Sequence, residues 1–566
     1  MKRARLLSLI PALVATLVAA ALPLPVAAAD RPNQCTGATV SSPTNTWLSD
    51  TIGSATDVDW YRFSNATGRY ALITLGALPA DYDLFLYASS SCANAIASSH
   101  RSNRVYDEIY RYLPAGTYYV KVVGFESASG SSPYQLRFRP LAEGAQILSY
   151  TASTDSAGYL HVVGEVLNNT GDRRRWVQIN ASLRDSAGRS LGSGVGYAEL
   201  GILAPRSRSP FEVIARRPSA YHHSSLSVTS RVTTATPVAN LPITASAPYA
   251  SSGRWHFGGT VRNANASTVN LTQTLVTLYD ARGGVAGLGS SWTTPNRLAT
   301  GARAPFDAHA SSSISFNRVT YQSQASRSGC TAGHSTTAGT PQVFDGAIPG
   351  AGNRVALTFD MGGRMVPAAR IMNSLVANRV CATIFPTGVM TETAEGQQVM
   401  AIIRAHPELF EMGNHTMDHC NLRDGGGGSP STAFCPASGT TPSAAFIRQQ
   451  LSDAGTIIAN STGQSARPYW RPPYGAYNST VLNAIDDVGY TKTFMWDVDT
   501  IDWKPTSQGG PTATSMTLKV VGNAQAGSDV LMHLGGYETA DALHAMIRGL
   551  RSRGYVLTTL SDMVER

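Results

Sequence analysis

His415 and His419, four residues apart in Gly413-Asn-His-Thr-Met-Asp-His419, are the side chains of this sequence best suited to hold a metal ion. On a helical turn that spacing puts both imidazoles on one face, where they either converge on one divalent cation or form a polar surface patch. Upstream, Arg354-Val-Ala-Leu-Thr-Phe-Asp360-Met-Gly-Gly363 reads as a buried apolar strand that delivers one carboxylate to a glycine turn. Downstream, Arg471-Pro-Pro-Tyr474-Gly, Asp499-Thr-Ile-Asp502-Trp503 and Val530-Leu531-Met-His533 each set a charged or titratable group at a strand end or in a loop. Strand C-terminal ends are where α/β folds present catalytic groups.

The elements that must position these groups alternate between apolar strands and amphipathic helices. Residues 367–380 precede the strand-like Cys381-Ala-Thr-Ile-Phe385, and residues 443–460 precede the Arg471 stretch. That order predicts βα units and a parallel sheet. The five stretches, in this order, resemble the polysaccharide deacetylase family of carbohydrate esterases over 353–566. The resemblance implies an incomplete (β/α)7 barrel and a hydrolase that removes acetyl groups from a glycan with a divalent metal, Zn2+ first and Co2+ or Ni2+ as alternatives. It implies His415 and His419 as metal ligands and Asp360 as the base, oriented by Arg471. It implies His533 as the acid, held by Asp502, with Trp503 and Leu531 walling the acetyl pocket and the Tyr474 backbone N–H completing an oxyanion site. One position departs from the pattern: Met361 stands where the family has a second, metal-binding aspartate.

The rest of the chain is read as an export signal and accessory modules. Lys2, Arg3 and Arg5 precede an apolar run ending in Ala27-Ala-Ala29, the form of a cleaved secretory signal over 1–29, with a membrane anchor as the alternative reading. No later stretch is apolar enough to span a bilayer. At 566 residues several domains are expected. The formal charge is +8, yet 346–566 holds 16 basic and 18 acidic residues, so the basic surplus lies in the accessory region. That suits an anionic cell wall, while basic and aromatic interleaving of the kind that reads nucleic acid is lacking. Six cysteines in an exported chain are expected to pair, in any of 15 connectivities; locality suggests Cys35 with Cys92 and Cys420 with Cys435, which would leave Cys330 and Cys381 to tie the linker to the barrel.

Short strands and turns over 30–142 predict a β-sandwich that resembles the pre-peptidase C-terminal domain. Its Asp57, Asp59, Asp81 and Asp83 either cap turns or hold Ca2+. An internal repeat follows: Gly158, His161, Gly164, Val166, Asn168 and Phe211 recur as Gly253, His256, Gly259, Val261, Asn263 and Phe306, always 95 residues on. The period predicts two further β-sandwiches, 143–236 and 237–321, then a flexible linker over 322–352. His161 and His256 are expected to face strand neighbours, since no second ligand is seen to recur with them. Exposed aromatics for glycan binding cannot be told from core residues among Trp176, Trp255 and Tyr279. The fold class expected is therefore multidomain, with all-β sandwiches before a C-terminal α/β barrel. The leading function is N-deacetylation of a glycan such as peptidoglycan or chitin. The alternatives are an O-acetyl xylan esterase and a glycan-binding or adhesion protein with impaired turnover.

Overall fold

The computed structural model describes residues 30–40, 45–330, 332–333 and 339–565, so the expected signal segment 1–29 lies outside the described residues. The chain divides into two compact units, Met1–Arg139 and Pro140–Arg566. Among the described residues no helix is long and apolar enough to cross a membrane.

The first unit is built from two four-stranded antiparallel sheets. Period-two alternation sends Tyr61 and Phe63 of one sheet and Ile73 and Leu75 of the other into one shared core. Cys35 bonds to Cys92. The four aspartates take protein partners: Asp57 accepts from Gly53 N at 2.6 Å, Asp59 from the Tyr134 hydroxyl, Asp81 from Asn103 N at 2.8 Å, and Asp83 lies 3.1 Å from His100 Nδ1. Burial also pushes the Asp59 carboxyl up to about 7. These contacts favour turn and strand-end roles over a Ca2+ cage.

The second unit begins with the duplicated β modules. The first copy is one seven-stranded antiparallel sheet, continuous because Tyr197 and Ala198 pair with Glu212 and Phe211. The second copy splits at the corresponding place into sheets of four and three strands. Tyr279 is buried with its hydroxyl on Glu165, Trp255 donates to Ile314 O at 3.0 Å, and Trp176 lies under the guanidinium of Arg231 at 3.8 Å. All three aromatics that the sequence left open are thus used internally. The reading of His161 and His256 needs correction, because a ligand-type partner does recur with them: Glu212 and Asp307, also 95 residues apart.

The segment expected as a flexible linker is partly built into the fold. Strand Arg318–Ser326 runs past the expected boundary, and Gln342–Phe344 pairs in parallel with Lys492–Phe494. Phe344 stacks on Phe494 with centroids 4.9 Å apart, and Cys330 bonds to Cys381.

In the α/β region every strand pairing is parallel. Six strands form one sheet in the order Phe410–Met412, Ala382–Pro386, Arg354–Met361, Ser528–His533, Val498–Asp499, with Val556–Thr558 added beside Arg354–Met361. Three more strands form a second sheet, which a single bridge between Asn414 and Trp470 joins to the first. Helices such as Ala368–Ala377 and Ala444–Thr462 pack outside, burying Ile371, Leu375, Ile447 and Leu451. Serine, threonine or asparagine side chains cap several of them, as Ser443 does by accepting from Phe446 N.

The boundary expected at 353 runs through a shared core. Helix Thr539–Ser552 buries residues on most of its circumference because the first β module covers its outer side: Tyr197 packs against Gly549, and Arg548 Nη2 meets Glu199 Oε2 at 2.8 Å with both side chains buried. The β modules and the α/β region are therefore packed as one body and are not beads on a linker.

Candidate active site

Strand Arg354–Met361 alternates in the expected way. Val355, Leu357 and Phe359 enter the core beneath the helices, while Thr358 and Asp360 meet the polar network of Arg471. Asp360 sits at the strand's end and is the register partner of His533 on the adjacent parallel strand, so the expected base and acid are neighbours across one ladder.

Arg471 is fully buried and shared between two carboxylates. Its Nη1 donates to Asp360 Oδ1 at 3.0 Å and to Thr358 Oγ1 at 2.8 Å, and its Nη2 donates to Asp529 Oδ2 at 2.7 Å. Its Nε donates to Phe494 O at 3.2 Å, and the guanidinium lies 4.4 Å from the Phe385 ring centroid. A buried cation held this way cannot turn without stranding two anions, which fixes the plane of the Asp360 carboxylate. Burial pushes the Asp360 carboxyl up, but the His415 ring, Arg471 and His533 outweigh it and hold the group below its ordinary value. At Asp529 burial outweighs the same Arg471 cation and the Thr358 hydroxyl and pushes the carboxyl up to about 6.

His533 Nδ1 lies 2.7 Å from Asp502 Oδ1. The other Asp502 oxygen accepts from His533 N at 2.9 Å and from the Thr539 hydroxyl. Burial would lower the His533 imidazole, but the Asp502 hydrogen bond and the charges of Asp502 and Asp360 raise it above its ordinary value. One carboxyl is held below its ordinary value and one imidazole above it at adjacent strand ends, the divergence that acid and base catalysis draws on.

The histidine pair converges, but not on a helix. Residues 413–420 form an irregular loop after strand Phe410–Met412, with Thr416 and His419 in the left-handed region at φ 72° and 58°. The loop brings the ring centroids to 4.9 Å. His415 Nδ1 lies 2.9 Å from Arg471 O, so it carries the proton and donates, leaving Nε2 as a free lone pair 3.5 Å from Asp360 Oδ2. Burial keeps both imidazoles below their ordinary value, His419 down to about 3, so both are neutral donors at neutral pH. Gly362 makes room for this: a Cβ there would stand 2.3 Å from His419 Cδ2.

Two neutral imidazoles fit a divalent ion, and the third place holds no second carboxylate. Met361 is buried in the same core cluster as Val355, Leu357 and Phe359. Asp418, between the histidines, accepts from Gln450 Nε2 at 2.6 Å.

Around these groups, Trp503 and Tyr474 are 57% and 56% exposed, whereas Leu531 is buried. Tyr474 holds a positive φ of 61°, and its hydroxyl lies 3.1 Å from His419 Nδ1. The structure thus gathers Asp360, Arg471, His415, His419 and Tyr474 in one contiguous set, with Asp502 and His533 joined to it through the Asp360 register. Sequence reasoning missed Thr358, Asp529 and Thr539, which orient the charged groups. Asp529 carried a signal, as an acidic residue inside an otherwise apolar strand.

The polysaccharide deacetylase family model matches residues 348–493, a span that includes Asp360, both histidines, Arg471 and Tyr474 and ends before Asp502. The chain is 28% identical over 211 residues to the peptidoglycan-N-acetylmuramic acid deacetylase PdaA of Bacillus subtilis (strain 168), covering 37% of this chain and 71% of that protein. It is 29% identical over 215 residues to a peptidoglycan-N-acetylglucosamine deacetylase of Bacillus cereus, covering 37% and 68%. Among solved structures, a CE4 family pseudoenzyme from Bacillus anthracis is 26% identical, covers 40% of this chain and 69% of that one, and superposes with a TM-score of 0.32. Residues 348–493 of this chain are a polysaccharide deacetylase domain whose relatives include peptidoglycan deacetylases.

Proposed function

We propose that the chain is an exported, metal-dependent deacetylase that hydrolyses N-acetyl groups of a glycan of the peptidoglycan or chitin type, with its parallel strands arranged as an incomplete (β/α)7 barrel. The observation that carries this reading is the register pair Asp360 and His533, the carboxylate held by Arg471 and the imidazole by Asp502.

A divalent ion held by His415 and His419, with Zn2+ the best match to two imidazoles, polarises the acetyl carbonyl and acidifies water when bound. The protein's own groups do the rest. Arg471 occupies Asp360 Oδ1, so Oδ2 takes the proton of the attacking water. Asp502 occupies His533 Nδ1, so Nε2 delivers a proton to the departing amine. The Tyr474 backbone N–H supports the oxyanion, and Trp503 and Leu531 wall the acetyl methyl. Exposed Tyr474 and Trp503 give a sugar ring apolar faces to lie on.

Acetate release from peptidoglycan, chitin oligomers and acetylated xylan, measured with and without added Zn2+, tests the reading. Activity on the N-acetylated polymers that falls at least ~10²-fold in Asp360→Asn and in His533→Ala, both still folded, is the expected result. Release from xylan alone would move the function to an O-acetyl esterase. Release from none would favour a binding protein, which Met361 in the ligand position would explain.

A further inference from the structure

The second β module carries three ligand-type side chains away from the deacetylase site. Strand Arg254–Arg262 runs antiparallel to Arg303–Ser311 with His256 directly opposite His309. Asp307 and His309 are two residues apart on their strand and so leave the sheet on the same face. His256 Nδ1 lies 2.9 Å from Asp307 Oδ2, and His309 Nε2 lies 3.0 Å from the same oxygen. One ligand atom from each residue lies within 4.8 Å of the others. Around a tetrahedral ion with bonds near 2.0–2.2 Å, ligand atoms stand about 3.3 Å apart. The two distances to Asp307 Oδ2 therefore fall within a few tenths of an ångström of that spacing.

The two rings meet edge to face with centroids 4.6 Å apart, and Tyr249 stacks on His256 at 4.7 Å and 4°. That stacking fixes one ligand ring before any ion arrives. All three side chains are partly exposed, which leaves water access to the remaining coordination positions. His309 also lines a cavity of about 370 Å3 whose wall includes His161, Glu212 and His544, so an ion here would stand at the cavity rim.

The duplication supplies an internal comparison. At the same offset of 95 residues, the first module has His161, Glu212 and Ile214 where the second has His256, Asp307 and His309. In the first module both nitrogens of His161 face carboxylates, Glu212 at 2.8 Å and Asp155 at 3.3 Å, an arrangement that suits an ion pair. In the second, the position of Asp155 is Ala250 and the position of Ile214 is His309. One copy has two carboxylates around one imidazole, and the other has two imidazoles around one carboxylate. The latter is a neutral-nitrogen and anionic-oxygen donor set of the kind Zn2+ takes.

We propose that His256, Asp307 and His309 form a second metal site, for a Zn2+-class divalent cation, on the face of the second β module. The test uses the full chain with His415→Ala and His419→Ala, stripped by chelator and titrated with Zn2+ by calorimetry and with Co2+ by visible absorption. One equivalent should bind, with the absorption of four-coordinate Co2+. Adding His309→Ile, the residue of the first module, should abolish that absorption and weaken Zn2+ by at least ~10-fold, since even an outer-shell partner is worth 10–100-fold. Asp307→Asn should act in the same direction, and unchanged melting would show that the module remains folded. Absence of binding in the His415→Ala/His419→Ala chain, or binding that His309→Ile leaves unaltered, would overturn the site. In the otherwise unaltered chain, His309→Ile should lower bound Zn2+ by one equivalent, and an unchanged count would overturn it as well.

Discussion

Asp502 shows how much of the chemistry rests on single hydrogen bonds. It is buried, it accepts from His533 Nδ1, His533 N and Thr539, and it raises the imidazole it holds. The acid form of His533 is present below its pKa and is lost as pH rises through it. Removing the charge of Asp502 lowers that pKa, so Asp502→Asn should move the alkaline limb of kcat/KM to lower pH. The acid limb, which the proposal assigns to Asp360, should stay in place. A pH profile with an unmoved alkaline limb would remove His533 from the role of acid. Met361 poses the complementary question. A thioether is a soft neutral group and a poor replacement for a carboxylate at a hydrolytic ion. Met361→Asp should tighten Zn2+ by ~10-fold or more and lower the melting temperature of the metal-free protein, because the carboxylate then sits in an apolar core. Calorimetry on both chains, in a His309→Ile background that silences the other proposed site, decides this. Equal affinities would mean that another group completes the coordination.

At the scale of elements, the strand end and the loop beside it share one constraint, Gly362. A methyl group there would meet His419 Cδ2 at 2.3 Å and Nε2 at 2.7 Å, and the ring would have to leave its contacts with Tyr474 and His415 to give way. Gly362→Ala should therefore weaken Zn2+ at His415 and His419 by at least ~10-fold while the fold is kept. Unchanged affinity and turnover would show that the ring position is not needed. Much of this site was legible in the sequence, because strand-end residues such as Asp360 and His533 follow from apolar runs bounded by glycine. The histidine loop was not. The spacing of His415 and His419 suits a helical turn, but left-handed Thr416 and His419 deliver the same convergence from irregular backbone, which periodicity cannot reveal. Nor does residue identity reveal the recurrence of Glu212 and Asp307, since the two differ in type and only the shared offset connects them.

At the scale of the whole molecule, the sequence suggested separable modules, and the packing says otherwise for the second unit. Charge and composition change near residue 346, but contact surfaces leave no such mark, and the buried outer side of helix Thr539–Ser552 depends on a cover. Tyr197 and the buried Arg548–Glu199 pair supply it from the first β module. Losing a large buried aromatic costs about 3–5 kcal/mol, and stranding Arg548 without its carboxylate adds to that. For a region of this size, each kcal/mol is worth roughly 2–4 °C. A chain beginning at Asn353 should therefore melt about 10 °C or more below one beginning at Pro140, or fail to stay soluble. The Pro140 chain should keep the full chain's rate on short soluble oligomers, since residues up to Arg139 form a compact unit of their own. Thermal melts and acetate release on the three chains check both statements together. If the Asn353 chain melted with the Pro140 chain, the β modules would be passengers on the α/β region, and the buried ion pair would contribute nothing to holding it together.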